Sequence, residues 1–367
     1  MNDLIEHDSS DFRPRTADRG PWTSFAPLLW LLSFFSLLYR IVCNARLFLY
    51  RSGLCRERKL GAMVISVGNI TTGGTGKTPL VIYLAERLQE SHRKVAILSR
   101  GYRRKTKKMV DAIGQSLGEL TWEDVGDEPY LMARRLHDVP VIVSKHRVKS
   151  GRHAIEQYGI EILILDDGFQ HLKLHRDLNI VVIDSTNPFD TGRLLPAGRL
   201  REPLTSLKRA DIFVLTKTDQ ASDTGKLIDK LRGYNPQALL AEAIHQVRSI
   251  EKLADGSSLG LKEVEGKRAL AFSGIGNPSS FENSLRQLRI QTLRHKRFSD
   301  HYPYRSADIS NLQDEAKNLG ADFIVTTEKD SVRIPLISHS TIPFYVLTID
   351  LKITGGEEVL LNRIWGR

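Results

Sequence analysis

The sequence predicts an α/β fold in which a parallel sheet is covered by helices on both faces. From Ala62 onwards, short apolar runs alternate with helical or polar stretches, as is typical of such a sheet. A glycine-rich turn lies between the first apolar run and the first helix. An apolar segment precedes this pattern, and a second α/β pattern follows a polar stretch. We therefore expect an N-terminal membrane-associated helix and a smaller C-terminal α/β lobe.

The N-terminal segment is the most apolar part of the chain. Gly20 to Tyr39 carries no charge, and this is roughly the 20 residues needed to cross a bilayer. The strongly apolar part, Phe25 to Tyr39, has only about 15 residues, so a helix that spans the bilayer and one that lies in its interface both fit. A cleaved signal peptide does not fit, because the first residues are acidic and no small-residue cleavage site follows. A buried helix of a soluble protein remains the alternative.

Two polar features accompany this segment. Plotted as a helix, it carries a narrow polar stripe formed by Ser33, Ser36, Arg40, Asn44 and Arg51. Basic residues follow the apolar run, namely Arg40, Arg46, Arg51, Arg56, Arg58 and Lys59. By the positive-inside rule they place the main body on the cytoplasmic face, where they could also hold anionic lipid.

The first α/β unit is predicted to cover residues 60–247, after a tail and helix over residues 1–59. Its apolar runs have the length of buried strands. They are Met63–Val67, Val95–Leu98, Pro140–Val143, Ile162–Leu165, Ile180–Ile183 and Ile212–Leu215. The stretch Pro79–Gln89 predicts a helix, because its apolar residues recur on one face.

The C-terminal lobe is predicted to cover residues 248–367, beginning with a polar, glycine-rich stretch, Ser249–Lys267, that would serve as a linker. Its predicted strands are Ala269–Phe272, Gln291–Leu293, Phe323–Thr326 and Phe344–Leu347. Its predicted helices are Phe281–Leu288 and Ala307–Leu319. Ser306 is the expected cap of the latter helix and Gly320 its stop.

The stretch "VGNITTGGTGKTPL" has the order strand, glycine-rich turn, helix, which is the context of a P-loop NTPase-like phosphate site. Such a site needs backbone N–H groups directed at phosphate oxygens, and glycines permit the close approach. Lys77 would reach the β- and γ-phosphates, and Thr78 would ligate Mg²⁺. Thr71 stands where such a loop usually opens with glycine, so the turn out of the strand must be built differently. The predicted nucleotide-binding residues of the loop are Thr71, Thr72, Gly73, Gly74, Thr75, Gly76, Lys77 and Thr78.

A pair of acids supports this site. The stretch "EILILDDGFQH" is an apolar strand that ends in Asp166 and Asp167. A carboxylate at the end of a strand beside the phosphate loop is where a Mg²⁺-positioning acid belongs. A solvated turn is the alternative, because Asp and Gly are turn residues. The sequence does not decide which of the two aspartates is the metal ligand.

Composition limits the class of protein. With 41% hydrophobic and 26% charged residues, the chain is that of a globular protein. The net charge of +10 favours anionic partners, without choosing among nucleic acid, acidic lipid and phosphorylated substrates. The two cysteines, Cys43 and Cys55, have no metal-type spacing and exclude a disulfide framework, which fits a reducing compartment.

An ordered set of motifs runs along the chain, namely "SVGNITTGGTGKTP", "LSRGYRRK", "VGDEPYLMA", "ILDDGFQHLKLHRDLNIVVID", "LPAGRLREPL", "FSDHYPY" and "VTTEKD". This set resembles the tetraacyldisaccharide 4'-kinase (lipid A 4'-kinase) family. The family's phosphate loop also lacks the first glycine. The resemblance implies ATP- and Mg²⁺-dependent phosphorylation of the 4'-hydroxyl of a lipid-linked glucosamine disaccharide 1-phosphate, at the cytoplasmic face of a bacterial inner membrane.

The resemblance also implies roles for particular residues. Asp127, in "VGDEP", matches the family's catalytic aspartate, and His301, in "SDHYP", matches the histidine that pairs with it. Because the two belong to different lobes, we expect the lobes to close over the substrate to bring them together. Arg201 and Glu202, in "GRLREP", match residues near the nucleotide and the metal, with a structural ion pair as the alternative.

Three features leave other interpretations open. The basic run Arg100–Lys108 is either a solvated loop or a contact for the substrate's phosphate or the membrane surface. The stretch "LTKTD", residues 215–219, gives weak support to a membrane-docked nucleotide switch that acts on a protein partner. A nucleic-acid-binding ATPase would depend on net charge alone, and the apolar N-terminus argues against it. We infer no obligate protein partner.

Overall fold

The computed structural model describes residues 26–335, 337 and 340–366. The start of the predicted apolar segment, residues 20–25, and the tail before it lie outside these residues. The helices are α1 Ala26–Arg51, α2 Lys77–Glu90, α3 Trp122–Val125, α4 Asp127–Leu136, α5 Arg147–Tyr158, α6 Thr224–Tyr234, α7 Pro278–Gln287, α8 Ser306–Leu319, α9 Glu328–Ser331 and α10 Glu357–Trp365. The strands are β1 Met63–Gly68, β2 Val95–Ser99, β3 Val110–Ala112, β4 Val141–Val143, β5 Ile162–Asp166, β6 Leu178–Asp184, β7 Ile212–Thr216, β8 Leu239–Lys252, β9 Ser258–Leu259, β10 Arg268–Ser273, β11 Gln291–Arg297, β12 Phe323–Thr327 and β13 Phe344–Gly355.

The strands form one sheet in the order β11-β10-β12-β13-β8-β7-β6-β1-β5-β2-β4-β3, with β9 beside β8. The neighbours from β4 to β8 pair in parallel, and so do those from β11 to β13. The two parallel parts meet where β8 and β13 pair antiparallel. The predicted α/β fold with a second, smaller lobe is confirmed.

Strand β8 changes one prediction. Its last residues, Ser249–Lys252, belong to the stretch predicted as a linker, and they pair with β13. The sequence pattern does not predict this strand, because polar and apolar side chains are mixed at its buried and partly exposed positions. The division at residue 247 stays a prediction, although the sheet runs across it without interruption.

Helices cover both faces of the sheet, as alternating side chains along the strands require. On one face Ile65 of β1 shares a buried cluster with Leu84 of α2. The neighbouring Val64 lies in a cluster on the other face with Ala154 of α5. Strand β1 is thereby fixed in the centre of the sheet, and the turn that follows it emerges between β5 and β6.

Helix α8 differs slightly from its prediction. Its cap is Arg305, and Ser306 is its first helical residue. The carboxylate of Asp308 accepts the backbone N–H of Arg305 at 2.9 Å, so an acid inside the first turn satisfies the free donor at the start of the helix. Gly320 ends the helix in the left-handed conformation, as predicted.

Helix α1 lies against the first unit along one face. The Ser36 hydroxyl donates to the carbonyl of Leu194 at 3.0 Å, and the Tyr39 hydroxyl donates to the carbonyl of Arg201 at 2.8 Å. Of the predicted polar stripe, Ser36 is on this contact face, whereas the charged Arg40 is exposed. A hydroxyl at the contact can be satisfied by a carbonyl, whereas a charge is costly to bury and stays in water.

The opposite face of α1 exposes a continuous set of large apolar side chains. They are Trp30, Leu31, Phe34, Phe35, Leu37, Leu38, Ile41, Val42, Phe48 and Leu49. By length and composition, Trp30–Arg51 is apolar enough to cross a membrane. Such a surface is typical of a site of contact with a membrane or another protein.

Candidate active site

The turn between β1 and α2 has the backbone of a phosphate loop. Gly73 and Gly76 have φ angles of 114° and 88°, which glycine adopts without strain. Thr71 forms an antiparallel bridge with Leu200, and the Thr72 N–H donates to the carbonyl of Arg199 at 2.8 Å. This pairing holds the exit from the strand, so the loop is built without a glycine at position 71.

Side chains at the ends of β1 and β7 form hydrogen bonds to the loop. The Asn69 amide donates to the carbonyl of Thr71 at 2.7 Å and to the Thr75 hydroxyl at 3.0 Å. At the end of β7, the Thr216 hydroxyl donates to the carbonyl of Thr75 at 2.9 Å. The buried Lys217 donates to the carbonyl of Gly74 at 3.3 Å. The first part of "LTKTD" thus holds the phosphate loop in place.

Lys77 begins α2 and lies between an amide and a carboxylate. Its Nζ is 3.2 Å from Asn69 Oδ1 and 3.5 Å from Asp167 Oδ1. Arg201 donates to both oxygens of Asp167 at 2.8 Å. Burial by itself would raise the pKa of Asp167, but Lys77 and Arg201 outweigh burial and lower the pKa. The structure therefore brings two of the predicted residues, Lys77 and Arg201, together around a third, the Asp167 carboxylate.

Asp166 has a different environment from its neighbour. It is buried, and Ser99 donates to its Oδ2 at 2.8 Å, whereas its Oδ1 has no hydrogen-bond partner among the described residues. Burial, together with the charges of Glu128 and Asp167, raises the pKa of Asp166 to about 6. An unpartnered buried oxygen is costly, and a cation beside the phosphate loop would satisfy it.

The oxygen ligands around the loop fit Mg²⁺. Mg²⁺ prefers hard oxygen donors, and it usually takes only one or two carboxylates and keeps several waters. Asp166 has a free oxygen, and Thr78 follows Lys77 at the start of α2. Both oxygens of Asp167 already accept from Arg201, and Glu202 pairs with Arg209. Asp166 is therefore the better candidate ligand of the two aspartates, and a metal role for Asp167 or Glu202 would require these ion pairs to rearrange.

The environment of Asp166 leads to a pH-dependent prediction. Because the pKa of Asp166 is higher in the folded protein than its ordinary value of 3.8, ionising it destabilises the fold. The destabilisation is absent below about pH 4, grows as the pH rises to about 6, and is complete above that. We expect Asp166→Asn to increase the free energy of unfolding at pH 8 by on the order of 1–3 kcal/mol, because each pKa unit corresponds to about 1.4 kcal/mol.

Denaturant unfolding of both proteins at about pH 4 and pH 8 tests this expectation. The gain should be lost at the lower pH, where the wild-type side chain is already neutral. Asp229→Asn, at an exposed carboxylate on α6, is the matched control. A gain of equal size at both pH values would contradict the buried-charge explanation.

Asp127 and His301 meet across the two lobes. His301 Nδ1 lies 2.6 Å from Asp127 Oδ2, and Arg333 NH1 lies 3.4 Å from the same oxygen. Burial by itself would raise the pKa of Asp127, but His301, Lys329 and Arg333 outweigh burial and lower the pKa. The expected pair is present, and the lobes of this structure already lie close enough to form it.

The backbone at His301 has a left-handed φ of 60°, which is uncommon for a residue with a side chain. The His301 N–H donates to the carbonyl of Gly274 at 3.1 Å and so helps to hold this conformation. The ring of Tyr102 lies 5.4 Å from the His301 ring. Tyr102 belongs to the basic run predicted as a solvated loop or a substrate contact, and here it lies beside the pair.

The phosphate loop opens towards a cavity between the lobes, with a volume of about 480 Å³. Its wall includes Gly73–Pro79, and also Glu128 and Lys329, which lie next to or against the pair. A phosphorylated ligand on the loop would therefore lie in the same cavity as Glu128 and Lys329, the immediate neighbours of the pair.

Comparison with known proteins adds to this geometry. Residues 28–365 match the family described as tetraacyldisaccharide-1-P 4'-kinase. The chain belongs to the tetraacyldisaccharide 4'-kinase family. It is similar to the tetraacyldisaccharide 4'-kinase of Syntrophus aciditrophicus, with 39% identity over 345 residues and 92% of each chain covered. The corresponding kinase of Halothermothrix orenii is 38% identical over 347 residues, which cover 89% of this chain and 90% of the relative.

A solved structure of the same family has a similar fold. The crystal structure of LpxK from Aquifex aeolicus in complex with ATP superimposes with a TM-score of 0.72 at 34% sequence identity. The match covers 92% of this chain and 99% of the Aquifex chain. The comparison therefore extends over both lobes of the 4'-kinase fold.

Several site residues of this 4'-kinase were not singled out from the sequence. Asn69 and Ser99 hold the loop and Asp166, and Glu128, Lys329 and Arg333 surround the Asp127–His301 pair. Glu128 lies in the quoted motif "VGDEPYLMA" and Lys329 in "VTTEKD", so the motifs contained them without indicating a role. Asn69 and Ser99 also lie in quoted motifs, "SVGNITTGGTGKTP" and "LSRGYRRK". Arg333 lies outside the quoted motifs, and its role is visible only from its partners.

Proposed function

We propose that this chain transfers the γ-phosphoryl group of ATP to the 4'-hydroxyl of a tetraacylated glucosamine disaccharide 1-phosphate, giving lipid IVA in lipid A biosynthesis. The observation that carries the proposal is the shared cavity, whose wall contains the phosphate loop and the neighbours of the Asp127–His301 pair. Membership of the 4'-kinase family supports the substrate class, and the ATP complex of the Aquifex relative supports the nucleotide.

The proposed roles follow from charge and geometry. Lys77 and the loop N–H groups hold the β- and γ-phosphates, and Arg201 holds Asp167 beside them. Mg²⁺, held by Thr78 and Asp166, would neutralise charge on the phosphates. Asp127 orients the sugar hydroxyl and accepts its proton, and His301 orients Asp127. Positioning and charge stabilisation supply most of the catalysis of phosphoryl transfer.

The proposed location is the cytoplasmic face of a bacterial inner membrane, with α1 as the anchor. Its exposed apolar face supports contact with lipid, and the basic residues that follow it fit an anionic surface. Contact with the membrane would also bring the acylated substrate to the cavity. We propose no nucleic-acid partner and no obligate protein partner.

The decisive experiment supplies the full chain, in detergent, with labelled ATP and the acylated disaccharide 1-phosphate. We expect label in the lipid, and its absence would remove the proposed activity. A membrane-docked nucleotide switch should instead favour GTP and hydrolyse it without lipid, so the same assay with GTP and no lipid separates the two functions.

Lys77→Ala tests the phosphate loop within this assay. Without the ammonium group, the β- and γ-phosphates lose a charge partner, and we expect lipid phosphorylation to fall by about 10²-fold or more. Lys94→Ala, at an exposed lysine beyond the end of α2, should behave like the wild type. Near-normal turnover in Lys77→Ala would show that the loop does not hold the reacting phosphates.

A further inference from the structure

Helix α9 crosses from the C-terminal lobe to α4 of the first unit. It is a single turn, capped at its start by the Thr327 hydroxyl. Glu328 forms an ion pair with Arg135 of α4 at 2.8 Å, and Lys329 forms one with Glu128 of α4 at 2.9 Å. Two successive side chains thus tie this turn to the helix that begins with Asp127.

Lys329 also reaches the histidine of the pair. Its Nζ lies 3.4 Å from His301 Nε2 and 3.7 Å from Asp300 Oδ1. Burial by itself would lower the pKa of Lys329, but Glu128, Asp127 and Asp300 outweigh burial and raise the pKa above its ordinary value. The side chain is therefore an ammonium group, which donates hydrogen bonds and accepts none.

This contact and the contact of Nδ1 with Asp127 both favour the same position for the proton of the imidazole. The Lys329 ammonium group is nearer to Nε2, at 3.4 Å, than Asp300 Oδ2 is, at 3.8 Å. Because the ammonium group can only donate, it favours a lone pair on Nε2. The proton of the neutral ring then lies on Nδ1, which donates to Asp127 Oδ2 at 2.6 Å. In the other tautomer, an N–H would face the ammonium group, and a lone pair would face the carboxylate.

We propose that Lys329 is a positioning residue that holds His301 in the tautomer with its proton on Nδ1, so that His301 donates to Asp127 and orients it for the reaction. The catalytic role of Lys329 in this inference rests on the proposed function. The tautomer itself is a property of the protein and can be measured without turnover.

Substitution of Lys329 should change the tautomer populations of the His301 ring. In Lys329→Met the donor to Nε2 is lost, and we expect the ring nitrogen chemical shifts of His301 to move from a single tautomer to a mixture. The shifts are measured by NMR on the full chain in detergent, with isotopically labelled histidine and His301→Gln for assignment. Lys317→Met, at an exposed lysine of α8, is the matched control and should leave the shifts unchanged.

The loss of Lys329 should lower kcat more than it changes KM. We expect kcat of Lys329→Met to fall by about 10²-fold, the lower end of what a positioned base contributes, with a smaller change in KM for ATP. Lys329→Arg retains the charge and the donors, so it should recover part of kcat.

The pH profile gives an independent measurement. The charged and titratable groups near His301 are Asp127 and Glu128 of α4, Asp300 on its own loop, Lys329 of α9, Arg333 after α9, and Tyr102 of the basic run. Lys329 is one of the cations that lower the pKa of Asp127, so its removal makes this carboxylate easier to protonate. We therefore expect the acidic limb of kcat/KM to move to higher pH in Lys329→Met and to stay in place in the control.

A second variant guards against a folding defect, because Lys329→Met leaves the Glu128 carboxylate without its partner. Glu128→Gln/Lys329→Met removes both charges and should show the same mixture of tautomers. An unchanged His301 tautomer in a folded variant, whatever happens to kcat, would overturn the inference. A further outcome is that the tautomer populations of His301 change in the variant while the wild type does not phosphorylate the lipid. In that case the proposed function fails, and the inference that Lys329 sets the His301 tautomer stands.

Discussion

Asp127→Ala is expected to lower kcat by about 10²- to 10⁴-fold while ATP binding is retained. Under the proposed function, the carboxylate accepts the proton of the sugar hydroxyl, and alanine cannot. Asp127 is not among the residues that form the phosphate loop, so the nucleotide should bind as before. The measurement is kcat from lipid phosphorylation, together with equilibrium binding of a non-hydrolysable ATP analogue.

Two further variants sharpen this result. Asp127→Asn keeps the shape of the side chain and an acceptor for His301, so a similar loss of kcat would identify the charge as the important property. Glu119→Ala, at an exposed carboxylate in the same part of the chain, should retain wild-type kcat. An Asp127→Ala enzyme that works near the wild-type rate would remove Asp127 from its proposed role.

Arg333→Met is expected to produce the largest loss of stability. The Arg333 side chain is fully buried, pairs with Asp330, lies 3.4 Å from Asp127 and donates to the carbonyl of Gly274 at 3.1 Å. Methionine fills much of the space but leaves the buried Asp330 carboxylate without its cation and removes one of the cations near Asp127. Breaking a buried ion pair from one side costs about 3–5 kcal/mol.

Denaturant unfolding measures this loss, and activity at a temperature where the variant stays folded reports on the active site. The matched variant is Asp330→Asn/Arg333→Met, in which the buried pair is removed from both sides. It should recover part of the lost free energy of unfolding, because the unpaired buried charge at Asp330 is removed. A loss below about 1 kcal/mol in the single variant would mean that water reaches the pair and that Arg333 does not hold the lobe contact.

Local patterns predicted the elements of this fold well where strands are fully buried. The runs at 63–67 and 162–165 lie within β1 and β5, because a strand covered on both faces is continuously apolar. Strand β8 was not predicted, because only some of its positions are buried and its polar residues resemble those of a linker. Since β8 joins the two parts of the sheet, its omission also hid the continuity of the sheet.

The sequence by itself determined the phosphate loop, because strand, glycine turn and helix are consecutive and their geometry depends on local residue types. The ordered motifs also carried the family assignment. Only the tertiary structure decided how Thr71 is accommodated, since its partner Leu200 is distant in the chain. It also decided that Asp166 keeps a free oxygen while Arg201 occupies Asp167.

The same holds for the catalytic pair and for the lysine beside it. Asp127 and His301 are 174 residues apart, and Lys329 comes from a third segment. Their contacts depend on the order of strands in the sheet and on how the lobes pack, and neither is encoded in a local pattern. The sequence therefore specified which chemical groups are available, and the fold specified which of them share a proton.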